Sequence, residues 1–344
     1  MVGLKRPGKW IAMTETNPAK IRLQNALDAA LKRYELMMGY PYSVRPALDV
    51  VVSDQFVALA RPIGNDNGFE ITVTTGVLDR LSDLWERAIS LSDGLPEASQ
   101  LNVGDIDQAV DASLVFLMLH ELHHHYIGHL ELVGSAGLSE TGFENGMGLT
   151  RVAEVKPPVL SELDPDEAIA VWRCLELQAD HDAIEIHLEH YSKDAWPYIR
   201  FYMATAMAVM ILIEKQGDTD DSDRTYPLSA TRIFQVFGAL ALLWQPIETS
   251  DWDAPEDHEI EAYHGAVVAP AISDAIILAA AGGVEAIANE HTDADDLFED
   301  MRMLQEPHKH DLTQLKTTGA REYASLFPAN EKAKELLGLE KFAT

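Results

Sequence analysis

The sequence predicts a helix-dominated α+β fold, and three observations carry that reading. Apolar residues recur at three- and four-residue spacing through most of the chain, and three short β-branched runs cluster between Val50 and Thr74. Of the 344 residues, 47% are apolar, enough for a sizeable core without disulfide staples.

Asn17 followed by Pro18 reads as a capped helix start, and Leu23, Leu27, Leu31, Tyr34 and Met38 keep one face apolar up to Gly39. A Pro-rich turn from Tyr40 to Pro46 then leads into strands at Val50 to Ser53 and Phe56 to Ala60. The loop Gly64 to Gly68 separates these from a third strand, Phe69 to Thr74. After Gly76 the period changes to helical through Leu78, Leu81, Leu84 and Ala88. Residues from Asp105 to Leu132 read as one long helix with an apolar middle, holding the densest group of histidines in the chain. The Gly-containing stretch Glu140 to Pro158 cannot be one regular element and is expected to be a flap or mobile loop. Asp164-Pro165 starts another helix that runs towards His190. The apolar run Phe201 to Ile213 is short of the ~20 residues that cross a bilayer, so it is expected to be a core helix, not a membrane span. Past a polar, acidic loop (Gly217 to Arg224), Ser229 is a candidate cap for the next helix. Further helices are expected from about Trp252, with breaks at Gly282-Gly283, Pro307 and Pro328.

Composition restricts the function classes. Net charge is −30, and residues 1–63 hold nine Lys/Arg against five Asp/Glu, so the acidity lies beyond them. Nucleic acid is therefore an unexpected partner. An acidic surface of this kind serves solubility or attracts a basic protein, and charge alone does not choose between the two. Cys174 is the single cysteine, which excludes an internal disulfide, and the first twenty residues lack the apolar run of a secretion signal. A reducing, cytoplasmic setting is the expectation.

The histidine-rich helix carries the candidate chemistry. Positions i and i+4 share a helix face, so His120 and His124 can present two imidazole nitrogens to one metal ion. Glu121 leans over the same place. This HExxH pattern reads as a helical zinc site in which the Glu takes a proton from the water that the metal activates. Zn2+ needs a third protein ligand, and Glu176 fits best: it stands on the second helix with Asp180 one turn away, where Asp180 can accept a hydrogen bond from a ligating imidazole. Small Ala179, and Gly128 on the motif helix, would let the two helices approach. His181, His187 and His190 are rival ligands nearby. His123 and His125 point away from the His120/His124 face and are expected to be structural, whereas His129 is expected to hydrogen-bond a ligand. Burying so many His and Glu groups in an apolar helix costs free energy unless they are paired or bind a metal.

With these residues in view, the sequence resembles the gluzincin metallopeptidases, in particular HtpX-like and CAAX-prenyl proteases and the soluble Lit-type phage-exclusion peptidases. Four pieces agree in order: Phe69 to Leu81 (FEITVTTGVLDRL), His120 to His129 (HELHHHYIGH), Glu176 to Asp180 (ELQAD) and Tyr226 to Ile233 (YPLSATRI). The resemblance implies a zincin-like domain over residues 1–245 and a helical C-terminal extension over 246–344 packed on it. It implies zinc held by His120, His124 and Glu176, with Glu121 as general base in peptide hydrolysis. It implies that Tyr226 or Arg232 stabilises the developing oxyanion. It further implies that Glu70, Ile71, Thr72, Val73 and Thr74 form an edge strand on which an extended protein or peptide substrate adds by β-augmentation. Relatives with membrane-spanning helices differ from this chain; many relatives have Gly where it has His123, and some have His where it has Tyr226. A regulated or phage-defence protease fits the resemblance, and so does a catalytically silent, zinc-stabilised binding module.

Overall fold

A computed structural model describes residues 17–63, 68–133, 138–139, 159–188, 193–216, 226–242, 256–284 and 294–339. It is a helix-dominated α+β protein with one small sheet. The first helix, α1 (Pro18–Met38), begins where the Asn17 side chain accepts from the Ala19 amide at 2.9 Å and ends at Gly39 with φ 76°. Leu23, Leu27 and Tyr34 on its inner face are fully buried against the histidine helix.

The sheet has the order β1-β3-β2-β4, formed by β1 (Ala47–Val51), β2 (Ala58–Ile63), β3 (Gly68–Thr74) and the two-residue β4 (Leu138–Ser139). β3 pairs in parallel with β1 from Ala47↔Glu70 to Val51↔Thr74, and antiparallel with β2 from Ala58↔Val73 to Ile63↔Gly68. The expectation of an edge strand at Glu70 to Thr74 is therefore corrected: both hydrogen-bonding sides of β3 are taken by neighbours. Its side chains are occupied too. Ile71 and Val73 enter the core, Thr72 and Thr74 are buried, and Glu70 accepts from Arg61 Nε at 2.7 Å across the ladder. Among the described strands the outer positions belong to β1 and β4.

Gly76 opens α2 (Gly76–Ser92) where a Cβ would lie 2.3 Å from the Gln55 carbonyl oxygen, so only glycine allows the strand to turn into the helix there. The helix α3 (Ile106–Tyr126) is buried on nearly all sides from Ser113 to His124. It ends earlier than the apolar pattern predicts, because Gly128 adopts φ 88°, and a separate short helix, α4 (His129–Val133), follows. Two long helices follow: α5 (Pro165–Leu188), packed on α3, and α6 (Trp196–Gln216), whose residues 203–213 lie in the core. By length and composition, Trp196–Ile213 and His258–Gly282 could each cross a membrane; 67% and 61% of those windows are buried within the protein. Two apolar core helices pass the same test.

The next helix, α7 (Ser229–Leu242), starts at Ser229, but that residue's hydroxyl donates to the Met210 carbonyl at 2.9 Å. The amide of Leu228 is instead received by Glu322 at 2.9 Å, which also accepts from the Thr231 hydroxyl. Glu322 belongs to α11 (Thr318–Ser325), which follows α8 (Asp257–Tyr263), a π turn at His264–Val268, α9 (Ala269–Gly282) and α10 (Ala294–Gln305). The last helix, α12 (Phe327–Leu337), packs on α5 and α4, while α9 packs on α2 and α6. The C-terminal helices thus lie directly on the elements that carry the histidines. The expected flap at 140–158, the acidic loop at 217–224 and His190 lie outside the described residues.

Candidate metal centre

Three helices meet at the histidine cluster. Residues His120, Glu121 and His124 come from α3, Glu176, Gln178 and Asp180 from α5, and Arg232 from α7. Four-residue spacing on α3 sets the two rings one turn apart, 4.6 Å between centroids, with Nε2 of one 2.9 Å from Nε2 of the other. The Glu176 carboxylate lies 3.4 Å from His120 Nε2 and 3.6 Å from His124 Nε2. Ligand atoms of His120, His124 and Glu176 all fall within 4.8 Å of one another, and all three residues are buried, so the cluster can hold a metal ion.

The surroundings fix what these atoms offer. Asp180 is fully buried and takes two hydrogen bonds from Arg232, Nε to Oδ2 at 2.6 Å and a terminal nitrogen to Oδ1 at 2.8 Å. A carboxylate held in that fork can only accept, and His120 Nδ1 reaches it at 3.0 Å. With its Nδ1 on the side of that carboxylate, His120 turns Nε2 towards Glu176 and His124. Lone pairs and a carboxylate that converge in a dry interior repel one another unless a cation or a shared proton lies among them. Two imidazoles and one carboxylate are the donor set of a divalent transition-metal site that keeps a position open, and these residues fit that group.

A second chain of contacts supports His124. Its Nδ1 lies 2.9 Å from His129 Nδ1, and His129 Nε2 lies 3.1 Å from Gln178 Oε1. Burial pulls the His129 pKa down to about 3 and holds that of His124 well below the usual imidazole value, so both rings are neutral. His129 reaches His124 only because Gly128 breaks the helix between them.

The other candidates occupy different places. His123 donates from Nδ1 to the Leu119 carbonyl at 2.8 Å, and burial lowers its pKa to about 4. His125 stacks on Phe69 with centroids 4.0 Å apart and lies 3.0 Å from the Tyr42 hydroxyl, which donates to the Leu122 carbonyl at 2.6 Å. His187, a rival ligand by sequence, is committed to joining helices: Arg33 lies 3.2 Å from its Nδ1 and donates to its carbonyl at 2.8 Å, and its Nε2 lies 3.0 Å from the Thr205 hydroxyl. His181 lies 3.2 Å from Glu185 on a partly exposed face, where His181, Asp182 and Glu185 form a second group with ligand-like spacing. Exposed groups of that kind are common without a metal.

Glu121 is buried beside His120, and Tyr226 is buried at the entry to α7. Arg232 holds Asp180 in a two-bonded fork, which makes it a support for His120 through Asp180. Spacing alone did not reveal Gln178 or Glu322; both act across long stretches of sequence. No family model, curated protein or solved structure matches the chain.

Proposed function

We propose that the chain is a zinc-dependent endopeptidase on a zincin-like scaffold, with a cytoplasmic protein or peptide as its substrate. The convergence of His120 Nε2, His124 Nε2 and the Glu176 carboxylate in the buried interior carries this reading, together with Glu121 next to the first ligand. When bound, Zn2+ supplies Lewis acidity that polarises a peptide carbonyl and lowers the pKa of water. His120, His124 and Glu176 would hold it. Asp180 orients His120, and Arg232 holds Asp180 in place with two hydrogen bonds. Glu121 takes the proton of the attacking water and returns it to the departing amine nitrogen. With the guanidinium of Arg232 engaged by Asp180, Tyr226 is the better candidate for donating to the developing oxyanion.

One observation favours a second reading. His120, Glu121, His124 and Glu176 are each at most 1% exposed, which suits a zinc-stabilised binding module as well as a peptidase in a closed state. Expression of wild-type and Glu121→Gln protein in a bacterial cytoplasm, followed by identification of new protein N-termini and by metal analysis of the purified chains, separates the two. The peptidase reading expects equal zinc in both and new N-termini from the wild type alone. Equal zinc with no cleavage by either, over a broad peptide library, supports the binding module; no zinc in either overturns both.

A further inference from the structure

The relay from Gln178 through His129 to His124 has a direction, and its outer end sets it. A neutral imidazole carries one proton, so in a chain of two such rings each hydrogen bond decides the next. Gln178 presents its carbonyl oxygen to His129 Nε2 at 3.1 Å. That oxygen can only accept, so the His129 proton is on Nε2 and its Nδ1 is a lone pair. His124 Nδ1, 2.9 Å away, must then be the donor. The only proton of His124 is thereby spent on Nδ1, and its Nε2 faces His120 Nε2 and Glu176 as a bare lone pair.

The opposite direction is also chemically complete. A donor at position 178 would leave His129 Nε2 as the acceptor, move that ring's proton to Nδ1 and make His124 Nδ1 accept. His124 would then carry its proton on Nε2, aimed at His120 Nε2, where it would close the pocket with a hydrogen bond and exclude a cation.

We infer that Gln178 is a positioning residue for the metal centre: acting through His129, its carbonyl selects the His124 tautomer that can ligate a metal. This rests on the reading of His120, His124 and Glu176 as ligands. It gives a role to the Gln178 side chain on α5, whose hydrogen-bond contact is with His129, and it gives the break at Gly128 a purpose, since a helix continued through that point would carry His129 away from His124.

The test uses the full-length protein in three forms, wild type, Gln178→Glu and Gln178→Lys. Zinc affinity is measured by competition with a chromophoric chelator, and histidine tautomers by 15N NMR of the metal-free chains. Glu keeps an acceptor facing His129, whereas a lysine ammonium is donor-only. Gln178→Glu is expected to bind zinc as the wild type does, and Gln178→Lys roughly 10–100-fold more weakly, the usual range for losing a partner behind a ligand. The wild-type spectrum should show His129 protonated on Nε2 and His124 on Nδ1. Equal zinc affinity in all three proteins overturns the inference, as does an equal loss in Gln178→Glu and Gln178→Lys, or a wild-type His124 protonated on Nε2. If the wild type binds no zinc, the peptidase proposal falls, while the wild-type spectrum still decides the direction of the relay. That spectrum also decides it should Gln178→Lys fail to fold.

Discussion

Asp180 performs two jobs that substitution can separate. Its carboxylate neutralises Arg232, which is 1% exposed, and it lies 3.0 Å from His120 Nδ1, where the proposed function has it orient that ring. In Asp180→Ala a buried guanidinium loses two hydrogen bonds from Asp180's carboxylate and the counter-charge it supplies. Breaking one side of a buried ion pair costs about 3–5 kcal/mol, a large share of the ~5–15 kcal/mol that holds a domain folded. The metal-free protein should therefore unfold at markedly lower urea. Removing the charge along with its partner, in Asp180→Leu with Arg232→Met, leaves no stranded ion, and most of that stability should return. Zinc binding should not return, because His120 still lacks the acceptor that orients it; a loss of roughly 10–100-fold is expected in the double variant. Urea denaturation of metal-free protein reads the first quantity, and chelator competition the second. If the double variant regains wild-type zinc affinity, Asp180 has no orienting role. If Asp180→Ala unfolds within about 0.5 kcal/mol of the wild type, the range of an unremarkable surface change, the buried pair is misplaced.

Gly319 sits where an added Cβ would lie 2.4 Å from the Ala230 carbonyl oxygen, so Gly319→Ala should push α11 away from α7. A loss of about 1–3 kcal/mol, typical of overpacking, is expected from denaturant titration. Burial raises the carboxyl pKa of Asp182 from 3.8 to about 6, with His181 opposing the shift and Glu185 adding to it. The folded state then holds that proton more tightly than the unfolded chain does. Its contribution is present at low pH and is lost as pH rises from about 4 to about 6, by at most about 3 kcal/mol. Asp182→Asn should flatten stability across that window in urea titrations at stepped pH, and an unchanged slope would count against it.

The helices and their inner faces were legible because burial leaves a periodic mark. Leu23, Leu27 and Tyr34 face inwards as their spacing requires, and the Asn17-Pro18 start and Gly39 end lie where capping chemistry puts them. The proximity of His120, His124 and Glu176 was legible for a similar reason: i, i+4 spacing fixes a face, and only some acids on the next long helix could meet it. Strand order left no such mark. Phe69 to Thr74 alternates in character as an edge strand does, yet β1, earlier in the chain, returns in parallel to its open side, and nothing local to residues 70–74 records that pairing. The bounds of β1 and β2 shifted for the same reason, since ladder partners on β3 decide where pairing begins.

Long-range polar partners were hidden more deeply, and Arg232 shows why. From the sequence it is a cation near a candidate site, equally suited to a reacting oxyanion or to a buried acid. What decides is that Asp180 is completely buried, so its charge requires a counter-ion whichever ligand His120 holds. Arg232 meets that need with two bonds at 2.6 and 2.8 Å. A guanidinium held in this way would have to surrender both bonds to follow a substrate, and such a move would strand Asp180 in the core. The same reasoning ties α7 to the candidate metal centre: Glu322, from far along the chain, holds the start of the helix that delivers Arg232, so a C-terminal helix bears on the placement of Asp180 beside His120.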